Sequence, residues 1–449
     1  MAKNRPVHVC QQCGHVAAMW VGKCPGCGEW NTMVEQAARP AAASRSPAPA
    51  SRALPLSSVP LGDGGEVRLR IGISELDRVL GGGLVTGALT LLGGDPGVGK
   101  STLLLMAMQA FARKGVRVLY VSAEESARQV RLRADRLAIA SDELYLLADT
   151  SIDAAMQAVD EVRPRVLVLD SVQTLQSGAL DGVPGSIGQV REVATKAMGV
   201  AKGRDVATFL VGHVTKEGSL AGPRALEHLV DTVLYFEGDG SSQLRILRAT
   251  KNRFGSTGEI GMFEMREEGL AEVPDASARL LRERAADAPG TAVTCSMEGS
   301  RPVLVEVQAL VGRPTNGTPS RTAVGVERGR LAMLLAVLGK AGLDLSDRDV
   351  FVSVAGGLRV QEPAADLAIA MALASSARGT PLASDRLFFG EIGLVGELRG
   401  VPSPVARLRE AERHGFRSAM VPASVAREAA GVRLVAARSL LEALAEGLL

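Results

Sequence analysis

A lysine, a serine and several glycines lie close together in one short stretch of the chain. The residues of this stretch are Gly94, Asp95, Pro96, Gly97, Val98, Gly99, Lys100, Ser101 and Thr102. The glycines let backbone N–H groups curl around a phosphate, Lys100 adds a mobile positive charge, and Ser101 can offer a hydroxyl to Mg²⁺. The pattern predicts a P-loop that binds ATP with Mg²⁺. The alternative is a chance match in a chain that holds 50 glycines.

Two carboxylates are predicted to serve the same nucleotide. An apolar run at 166–169 leads into Asp170, which is typical of a Walker B strand whose carboxylate holds Mg²⁺ through water. Glu124 follows another β-prone run and is the candidate general base, because it can orient a water in line with the γ-phosphate. Glu125 is the weaker candidate, as a solvated charge at a helix start. His213 is either a sensor of the γ-phosphate or a polar strand end.

These residues stand at the ends of short β-prone runs that alternate with helical stretches. The runs occupy 87–93, 117–122, 165–170 and 208–213. The stretch after the P-loop has apolar residues at helical spacing, namely Leu103, Leu104, Met108 and Phe111. This alternation predicts a parallel sheet flanked by helices. The ligand then lies at the carboxyl ends of the strands, where the polar residues converge.

Four cysteines near the start of the chain form two C-x-x-C pairs, Cys10 with Cys13 and Cys24 with Cys27. Each pair brings two thiolates onto one face of a tight turn, and two such turns supply the sulfurs of a tetrahedral Zn²⁺ site. A segment this short cannot build its own core, so the metal would supply much of its folding energy. His8 and His15 are alternative ligands, although surface positions suit them better. The predicted ribbon could bind either nucleic acid or protein, and Cys295 is predicted to be a buried small hydrophobe.

Length and composition indicate several globular domains. The chain has 449 residues, of which 46% are hydrophobic, and its net charge of +2 neither demands nor excludes nucleic acid. We find no secretory signal and no apolar run of about eighteen residues, so we expect a soluble cytoplasmic protein. Residues 37–60 are rich in Ala, Pro, Ser and Arg and predict a flexible linker. The loops at 177–188 and 215–224 could grip a polymer or be ordinary surface loops.

Several segments together resemble the RadA (Sms) family of bacterial DNA repair proteins. They are GGDPGVGKSTLL, YVSAEES, VLVLDSVQTL, VGHVTKEGSLAGPRALEHLVD and KNRFG, the last at 251–255. The resemblance covers essentially the whole chain and implies a core like those of RecA and the hexameric DnaB-type helicases, with ATP at each boundary between subunits. It also implies that Lys251 and Arg253, in a basic turn after a strand at 244–247, reach the γ-phosphate of the neighbouring subunit.

The carboxy-terminal region resembles the proteolytic domain of Lon, which uses a Ser-Lys dyad. Its predicted strands lie at 302–308 and 350–354 and its predicted helices at 328–341 and 364–376. Ala364 occupies the place of the nucleophile, and the stretch 401–405 lacks the expected lysine. An alanine methyl cannot attack a carbonyl, so the domain is predicted to be a non-proteolytic scaffold. Four arginines could form either a phosphate-facing patch or a solvated helix face: Arg313, Arg321, Arg328 and Arg330.

We therefore predict an α/β chain with a RecA-like P-loop ATPase core, an N-terminal zinc ribbon and a C-terminal Lon-protease-like α/β domain that lacks the catalytic dyad. The predicted domains are the ribbon at 1–35, the linker at 36–60, the ATPase at 61–275 and the Lon-like domain at 276–449.

The resemblance implies a DNA-dependent ATPase that processes recombination intermediates in DNA repair. The expected form is a homo-oligomeric, hexameric ring that moves on single-stranded DNA and promotes branch migration in RecA-mediated recombination. Its expected partners are single-stranded and branched DNA, the RecA recombinase and the replication and recombination machinery. No membrane is expected, and the protein would act in the bacterial cytoplasm, at the nucleoid when active. The alternatives are a nucleotide-switched clamp on branched DNA or a helicase loader without translocation, and Ala364 disfavours an ATP-dependent protease.

Overall fold

The computed structural model describes most of the chain. The described residues are 7–10, 16–26, 28–36, 55, 68–180, 182–213, 226–238, 243–285, 287–314, 317–425 and 431–448. The chain divides into two compact units. The first comprises Met1–Gly238, Arg245–Thr257 and Phe263–Glu272, and the second comprises Asp239–Leu244, Gly258–Met262 and Val273–Leu449. The predicted domain limits stay predictions, and the linker at 36–60 lies outside the described residues except for Gln36 and Pro55.

The amino-terminal segment contains three short strands. They are β1 Val7–Cys10, β2 Val16–Ala17 and β3 Met33–Gln36. They form an antiparallel sheet in the order β2-β1-β3. Cys10 and Met33 of this sheet form a small buried cluster with Cys24. So small an apolar cluster does not stabilise a fold by itself, which agrees with the predicted need for a metal. Cys13 and Cys27 lie outside the described residues.

The P-loop unit is built on one large sheet, preceded by the small antiparallel pair β4 Arg68–Leu69 and β5 Leu84–Val85. The strands of the sheet are β6 Leu89–Gly94, β7 Val118–Ser122, β8 Leu144–Ala148, β9 Val166–Asp170, β10 Ala207–His213, β11 Thr232–Glu237, β12 Leu244–Asn252, β13 Ile260–Arg266 and β14 Gly269–Glu272. Their order is β14-β13-β12-β11-β6-β10-β9-β7-β8. All neighbours from β11 to β8 are parallel, whereas β12 returns antiparallel to β11.

Helices cover both faces of this sheet. They are α1 Ser74–Val79, α2 Lys100–Ala112, α3 Ala127–Arg136, α4 Ile152–Val162 and α5 Ile187–Arg204. Successive side chains of a strand point to opposite faces, so Phe209 packs in the cluster of Leu104 while Leu210 packs in the cluster of Val193. Burial on both faces explains the continuous apolar runs of the parallel strands.

A capping box fixes the turn between β7 and α3. The Ser126 hydroxyl accepts a hydrogen bond from the Gln129 amide, and the Gln129 side chain accepts one from the Ser126 amide at 2.9 Å. The Glu125 amide donates to the Ser122 hydroxyl at 3.2 Å. These bonds hold in place the short segment that presents Glu124.

The second unit contains a seven-stranded sheet. Its strands are β15 Thr291–Glu298, β16 Arg301–Gly312, β17 Arg321–Val324, β18 Asp349–Val354, β19 Arg386–Phe388, β22 Ser418–Pro422 and β23 Arg433–Ala437, with a hairpin of β20 Glu391–Ile392 and β21 Leu398–Arg399. Its order is β17-β18-β16-β15-β19-β22-β23. The helices are α6 Ala276–Leu281, α7 Arg328–Lys340, α8 Asp366–Arg378, α9 Pro404–Arg413 and α10 Leu440–Gly447.

The mixed α/β class is confirmed, and two predicted strands prove longer than expected. The strand predicted at 302–308 extends to Gly312 because β16 pairs with both β15 and β18. The strand predicted at 244–247 extends to Asn252 because β12 keeps pairing with β11, so Lys251 lies on a strand and not in a turn. No helix in the described part of the chain combines the length and apolar character that crossing a bilayer requires.

Candidate nucleotide-hydrolysis site

The P-loop joins the end of β6 to the start of α2, which begins at Lys100. Gly99 has a φ of 111°, and a Cβ at this position would lie 2.7 Å from the Met265 Cε. The positive φ favours glycine at this position. The first amides of α2 lack partners within the helix, so they can bind an anion at the loop. This backbone fits the phosphates of a nucleotide.

The Lys100 ammonium lies buried across the loop, with the residue only 4% exposed. It donates to the carbonyl oxygens of Gly94 at 2.8 Å and Asp95 at 2.9 Å, and it lies 3.2 Å from the Nδ1 of His213. Burial lowers the pKa of Lys100, while the negative charges of Asp170 and Glu124 oppose that shift. Phosphate oxygens can therefore replace carbonyl oxygens as partners of an ammonium that is already in place.

A buried tyrosine contacts one of the two predicted magnesium ligands. The Tyr120 hydroxyl donates to the Oδ2 of Asp170 at 2.5 Å, while the side chain of Ser101, the other predicted ligand, acts to lower the pKa of Tyr120. Burial raises the pKa of Tyr120 well above its ordinary value, and the Asp170 charge adds to the shift. A hydroxyl and a carboxylate held together in this way are the hard oxygen donors that Mg²⁺ prefers. Tyr120 was not predicted as a site residue from the sequence. The available signal was a phenol hydroxyl within an otherwise apolar strand, where it needs a polar partner.

Glu124 accepts two hydrogen bonds on one oxygen. The His213 Nε2 lies 2.8 Å from Oε1, and the Ser171 hydroxyl donates to the same atom. The hydrogen bond from His213 is the largest cause of a lowered pKa for Glu124, to which Ser171 and the Lys100 charge contribute. The structure therefore brings Lys100, Glu124 and His213 into one network, as their positions at strand ends predicted. Ser171 was not singled out from the sequence.

The side chain of Glu125 does not share the contacts of Glu124. Its carboxylate pairs with Arg133 of α3 at 2.5 Å. The neighbouring Glu124, in contrast, belongs to the network around Lys100. This pairing supports the choice of Glu124 over Glu125 as the candidate base.

Lys251 and Arg253 lie at the other edge of the sheet. Asn252 pairs with Thr232, which also pairs with Thr90 near the start of β6. A strand rises about 3.3 Å per residue, so this level is about 13 Å from Gly94 at the P-loop end. The Lys251 ammonium donates to the carbonyl oxygens of Glu227 at 2.6 Å and Val230 at 2.8 Å, and Arg253 pairs with Asp231 at 3.0 Å. The chain does not bring either cation to its own P-loop.

The turn after Lys251 depends on close backbone packing. Gly81 has a φ of 80°, and a Cβ there would lie 3.2 Å from the Cα of Gly255. Arg68 donates to the carbonyl oxygen of Gly81 at 2.5 Å and also to that of Phe254. The Phe254 amide donates to the Asn252 side chain at 3.0 Å. These contacts give the basic segment one defined conformation.

The described half of the cysteine cluster fits a metal site. Cys10 and Cys24 are buried and form no disulfide. The Gly26 amide donates to the Cys24 sulfur at 3.3 Å. Thiolates on tight turns are the donors that Zn²⁺ takes in structural sites, with Cys13 and Cys27 as the expected partners outside the described residues.

In the second unit, the residue at the predicted position of a protease nucleophile is buried among apolar side chains. Ala364 is 1% exposed and packs in an apolar cluster with Val401 and Leu408. Nearby, the fully buried Arg407 guanidinium binds both carboxylate oxygens of Glu362, at 2.7 and 2.6 Å. No nucleophilic side chain occupies this position, so the unit offers no dyad chemistry here.

One member of the predicted arginine patch is already engaged. Two nitrogen atoms of Arg330 donate hydrogen bonds to the buried carboxylate of Asp366. Arg330 is therefore not available to bind a phosphate. Burial raises the pKa of Asp366, and the hydrogen bond from Arg330 opposes that shift. The other three arginines are exposed, and they are Arg313, Arg321 and Arg328.

The fold and the site together define a P-loop ATPase with a RecA-like core. Residues 66–219 match the family model of the AAA domain, residues 8–35 that of a rubredoxin metal binding domain, and residues 309–425 that of subunit ChlI of Mg-chelatase. These matches agree with the predicted ATPase, ribbon and carboxy-terminal domain.

The similar proteins give the family. The DNA repair protein RadA of Bacillus subtilis is 48% identical over 94% of both chains, and that of Brucella abortus 49% over 94% of this chain and 92% of its own. The DNA repair protein RadA of Pseudomonas aeruginosa is 47% identical over 99% of both chains. The chain belongs to the RadA DNA repair protein family. A solved KaiC-like protein from Pyrococcus horikoshii has 22% identity and a TM-score of 0.39, covering 46% of this chain and 100% of its own.

Replacement of Tyr120 by phenylalanine is expected to weaken Mg²⁺-dependent nucleotide binding. Asp170 would lose a buried donor that orients it, and such outer partners of a metal ligand are worth about tenfold to hundredfold in metal affinity. Calorimetry with ATP at several Mg²⁺ concentrations measures the shift. Tyr145→Phe, at a half-exposed tyrosine on β8, is the control and should leave the Mg²⁺ dependence unchanged. Equal Mg²⁺ dependence in the Tyr120 variant would contradict this role.

Removal of Zn²⁺ with a chelator is expected to unfold the ribbon alone. Its buried cluster is too small to hold the strands without the metal. Hydrogen exchange should become fast in β1 and β3, while the thermal unfolding of the P-loop unit keeps its midpoint. A loss of the P-loop unit's transition on chelation would show that the ribbon is not an independent module.

Restoration of a serine at position 364 is expected to give no peptidase activity. The residue is buried in an apolar cluster, and the described residues around it supply no lysine to activate a hydroxyl. Casein degradation by the Ala364→Ser variant and by the natural chain measures this directly. Cleavage by either protein would contradict the scaffold assignment.

Proposed function

We propose that this chain is a DNA-dependent ATPase that works as a ring-shaped motor on single-stranded DNA. In this role it promotes branch migration and heteroduplex extension in RecA-mediated recombination during DNA repair. The observation that supports the proposal is that charged residues lie at two opposite edges of the sheet. Lys100 and Glu124 meet at the carboxyl edge of the sheet, whereas Lys251 and Arg253 lie at the opposite edge.

The carboxyl edge has the groups needed to bind and hydrolyse ATP. Phosphates lie against the P-loop amides, and the Lys100 ammonium exchanges its carbonyl partners for phosphate oxygens. Ser101 and Asp170 would hold Mg²⁺, which would neutralise phosphate charge. Glu124 orients the attacking water, and its lowered pKa keeps the carboxylate ionised at neutral pH.

The opposite edge supplies cations to a neighbouring copy of the chain. A Lys or Arg placed at the γ-phosphate offsets the negative charge of the transition state and makes hydrolysis depend on assembly. Lys251 would exchange the carbonyl oxygens of Glu227 and Val230 for phosphate oxygens of the next subunit. Arg253, whose side chain is 59% exposed, would add a second charge. A head-to-tail arrangement of this kind closes into a ring, and we propose a hexamer.

Exposed arginines and a glycine-rich loop are the proposed contacts for DNA. Arg313, Arg321 and Arg328 are exposed in the second unit and can face phosphates. The loop at 177–188 is anchored at its start by Gln189, which donates to the Leu180 carbonyl oxygen at 2.8 Å. The loop at 215–224 lies outside the described residues. Single-stranded and branched DNA, the RecA recombinase and the replication and recombination machinery are the proposed partners, at the nucleoid in the bacterial cytoplasm.

Two other functions would use fewer of these residues. A nucleotide-switched clamp on branched DNA, or a loader of other helicases, would need the P-loop but neither Glu124 nor Lys251. The hydrogen bonds that hold Glu124 beside Lys100 favour hydrolysis over simple switching. Strand displacement on a forked substrate separates these functions, because only a motor opens the fork with ATP and fails with a non-hydrolysable analogue.

Replacement of Lys251 by alanine is expected to abolish the stimulation of ATP hydrolysis by single-stranded DNA. Loss of a cation supplied between subunits costs about a thousandfold or more in turnover. Nucleotide binding should stay intact because the P-loop is untouched. The matched control is Lys114→Ala, since Lys114 also donates to two carbonyl oxygens, of Arg70 at 2.8 Å and Ile71 at 3.0 Å, away from the site.

Mixing of two inactive variants tests whether Lys251 acts between subunits. A Lys251→Ala chain keeps its Glu124, and a Glu124→Gln chain keeps its Lys251. Mixed assemblies therefore contain intact sites and should recover DNA-stimulated hydrolysis. Full activity of Lys251→Ala alone, or no recovery on mixing, would overturn the assignment.

A further inference from the structure

Ser171 is a fully buried serine beside the candidate site. It directly follows Asp170 at the end of β9, and its hydroxyl donates to the Oε1 of Glu124. Its backbone carbonyl oxygen accepts the Thr174 hydroxyl at 3.0 Å and the Leu175 amide at 3.2 Å. The Ala123 amide donates to the Asp170 carbonyl oxygen at 2.6 Å, so the ends of β7 and β9 are joined. Ser171 therefore presents its hydroxyl from a fixed backbone.

The proton positions around Glu124 follow from Lys100. An ammonium can only donate, so the Nδ1 of His213 at 3.2 Å accepts, and the Nε2 of the neutral ring carries the hydrogen. That Nε2 hydrogen is then donated to the Oε1 of Glu124 at 2.8 Å. Both donors, His213 and Ser171, thus act on Oε1. Within the described part of the chain no hydrogen bond reaches Oε2, and the side chain is 34% exposed.

We propose that Ser171 is a positioning residue that binds the Oε1 of Glu124 and leaves Oε2 as the atom that takes the proton of the attacking water. The inference rests on the proposed ATP hydrolysis. The water oxygen forms a bond to the γ-phosphorus as the bond to the ADP oxygen breaks. One water proton passes to Oε2 and is later released to solvent, and the products are ADP and phosphate.

Ser171 suits this task better than His213 does alone. When Lys100 turns to the phosphates, His213 loses the partner of its Nδ1 and one constraint on its ring. Ser171 keeps its orientation because Thr174, Leu175 and the strand ends hold its backbone. The charged and titratable groups that face Glu124 are the Lys100 ammonium from α2 and the His213 ring from β10, while the adjacent Glu125 is paired with Arg133. The serine is the one donor to Glu124 in this network that does not also contact Lys100.

The test compares Ser171→Ala with Ser171→Thr in the full chain, at saturating single-stranded DNA. A misplaced base costs roughly tenfold to hundredfold in kcat, with KM for ATP unchanged. Loss of a donor to the carboxylate raises the pKa of Glu124, so the acid limb of the pH profile should move to higher pH. Ser171→Thr keeps the hydroxyl and should restore most of kcat and the position of the acid limb.

The matched control is Thr208→Val, which removes a buried hydroxyl on β10 that donates to the Val206 carbonyl oxygen at 3.1 Å, away from Ser171 and Glu124. It should leave the acid limb in place. The inference is overturned if Ser171→Ala leaves the acid limb unmoved, if Thr208→Val moves it equally, or if the only effect is a higher Mg²⁺ requirement. The Glu124→Gln variant separates the failure of the proposed base from the failure of the positioning role. Normal ATP hydrolysis by Glu124→Gln would refute the role of Glu124 as the base. An inactive Glu124→Gln together with a fully active Ser171→Ala would refute only the positioning role of Ser171.

Discussion

Parallel pairing of β6, β10, β9 and β7 is the constraint on which the candidate site depends. It brings the carboxyl ends of four strands to one edge of the sheet, and there the polar residues meet. The bond from the Ala123 amide to the Asp170 carbonyl oxygen, at 2.6 Å, extends this order past the strand ends. Apolar clusters on both faces of the sheet provide the free energy that maintains the pairing. Glu124 and His213, far apart in sequence, contact each other only because this pairing holds.

Charged and polar groups already surround the Lys100 ammonium in the candidate site. A buried ammonium is costly unless polar groups surround it, and Lys100 has two carbonyl oxygens, His213 and the charges of Asp170 and Glu124 around it. Nucleotide binding is then an exchange of partners around a cation that is already desolvated. The same logic applies at the opposite edge, where Lys251 is satisfied by carbonyl oxygens of its own chain. Its proposed role in a neighbouring subunit would also be an exchange of partners.

Features that act locally were predicted from the sequence. The glycine-rich loop, the apolar run into Asp170 and the alternation of strands and helices depend on nearby residues, and the structure places them as expected. Features that depend on distant partners were missed or misplaced. Tyr120 contacts a residue 50 positions away and Ser171 one 47 positions away, and no spacing rule identifies such pairs. Pairing with neighbouring strands likewise carried β12 and β16 beyond their predicted ends.

The sequence by itself determined which chemistry is available: a phosphate-binding loop, two carboxylates, paired cysteines, and an alanine where a protease needs a serine. The first three conclusions follow from residue types and short spacings, which the chain carries whatever its long-range contacts, and the fourth follows from the resemblance to the Lon proteolytic domain. Only the tertiary structure decided which atoms meet. It placed Ser171 and His213 on the same oxygen of Glu124, and it placed Lys251 at the edge opposite Lys100 because β12 runs antiparallel to β11. Strand order and direction arise from contacts between distant segments, and residue spacing does not encode them.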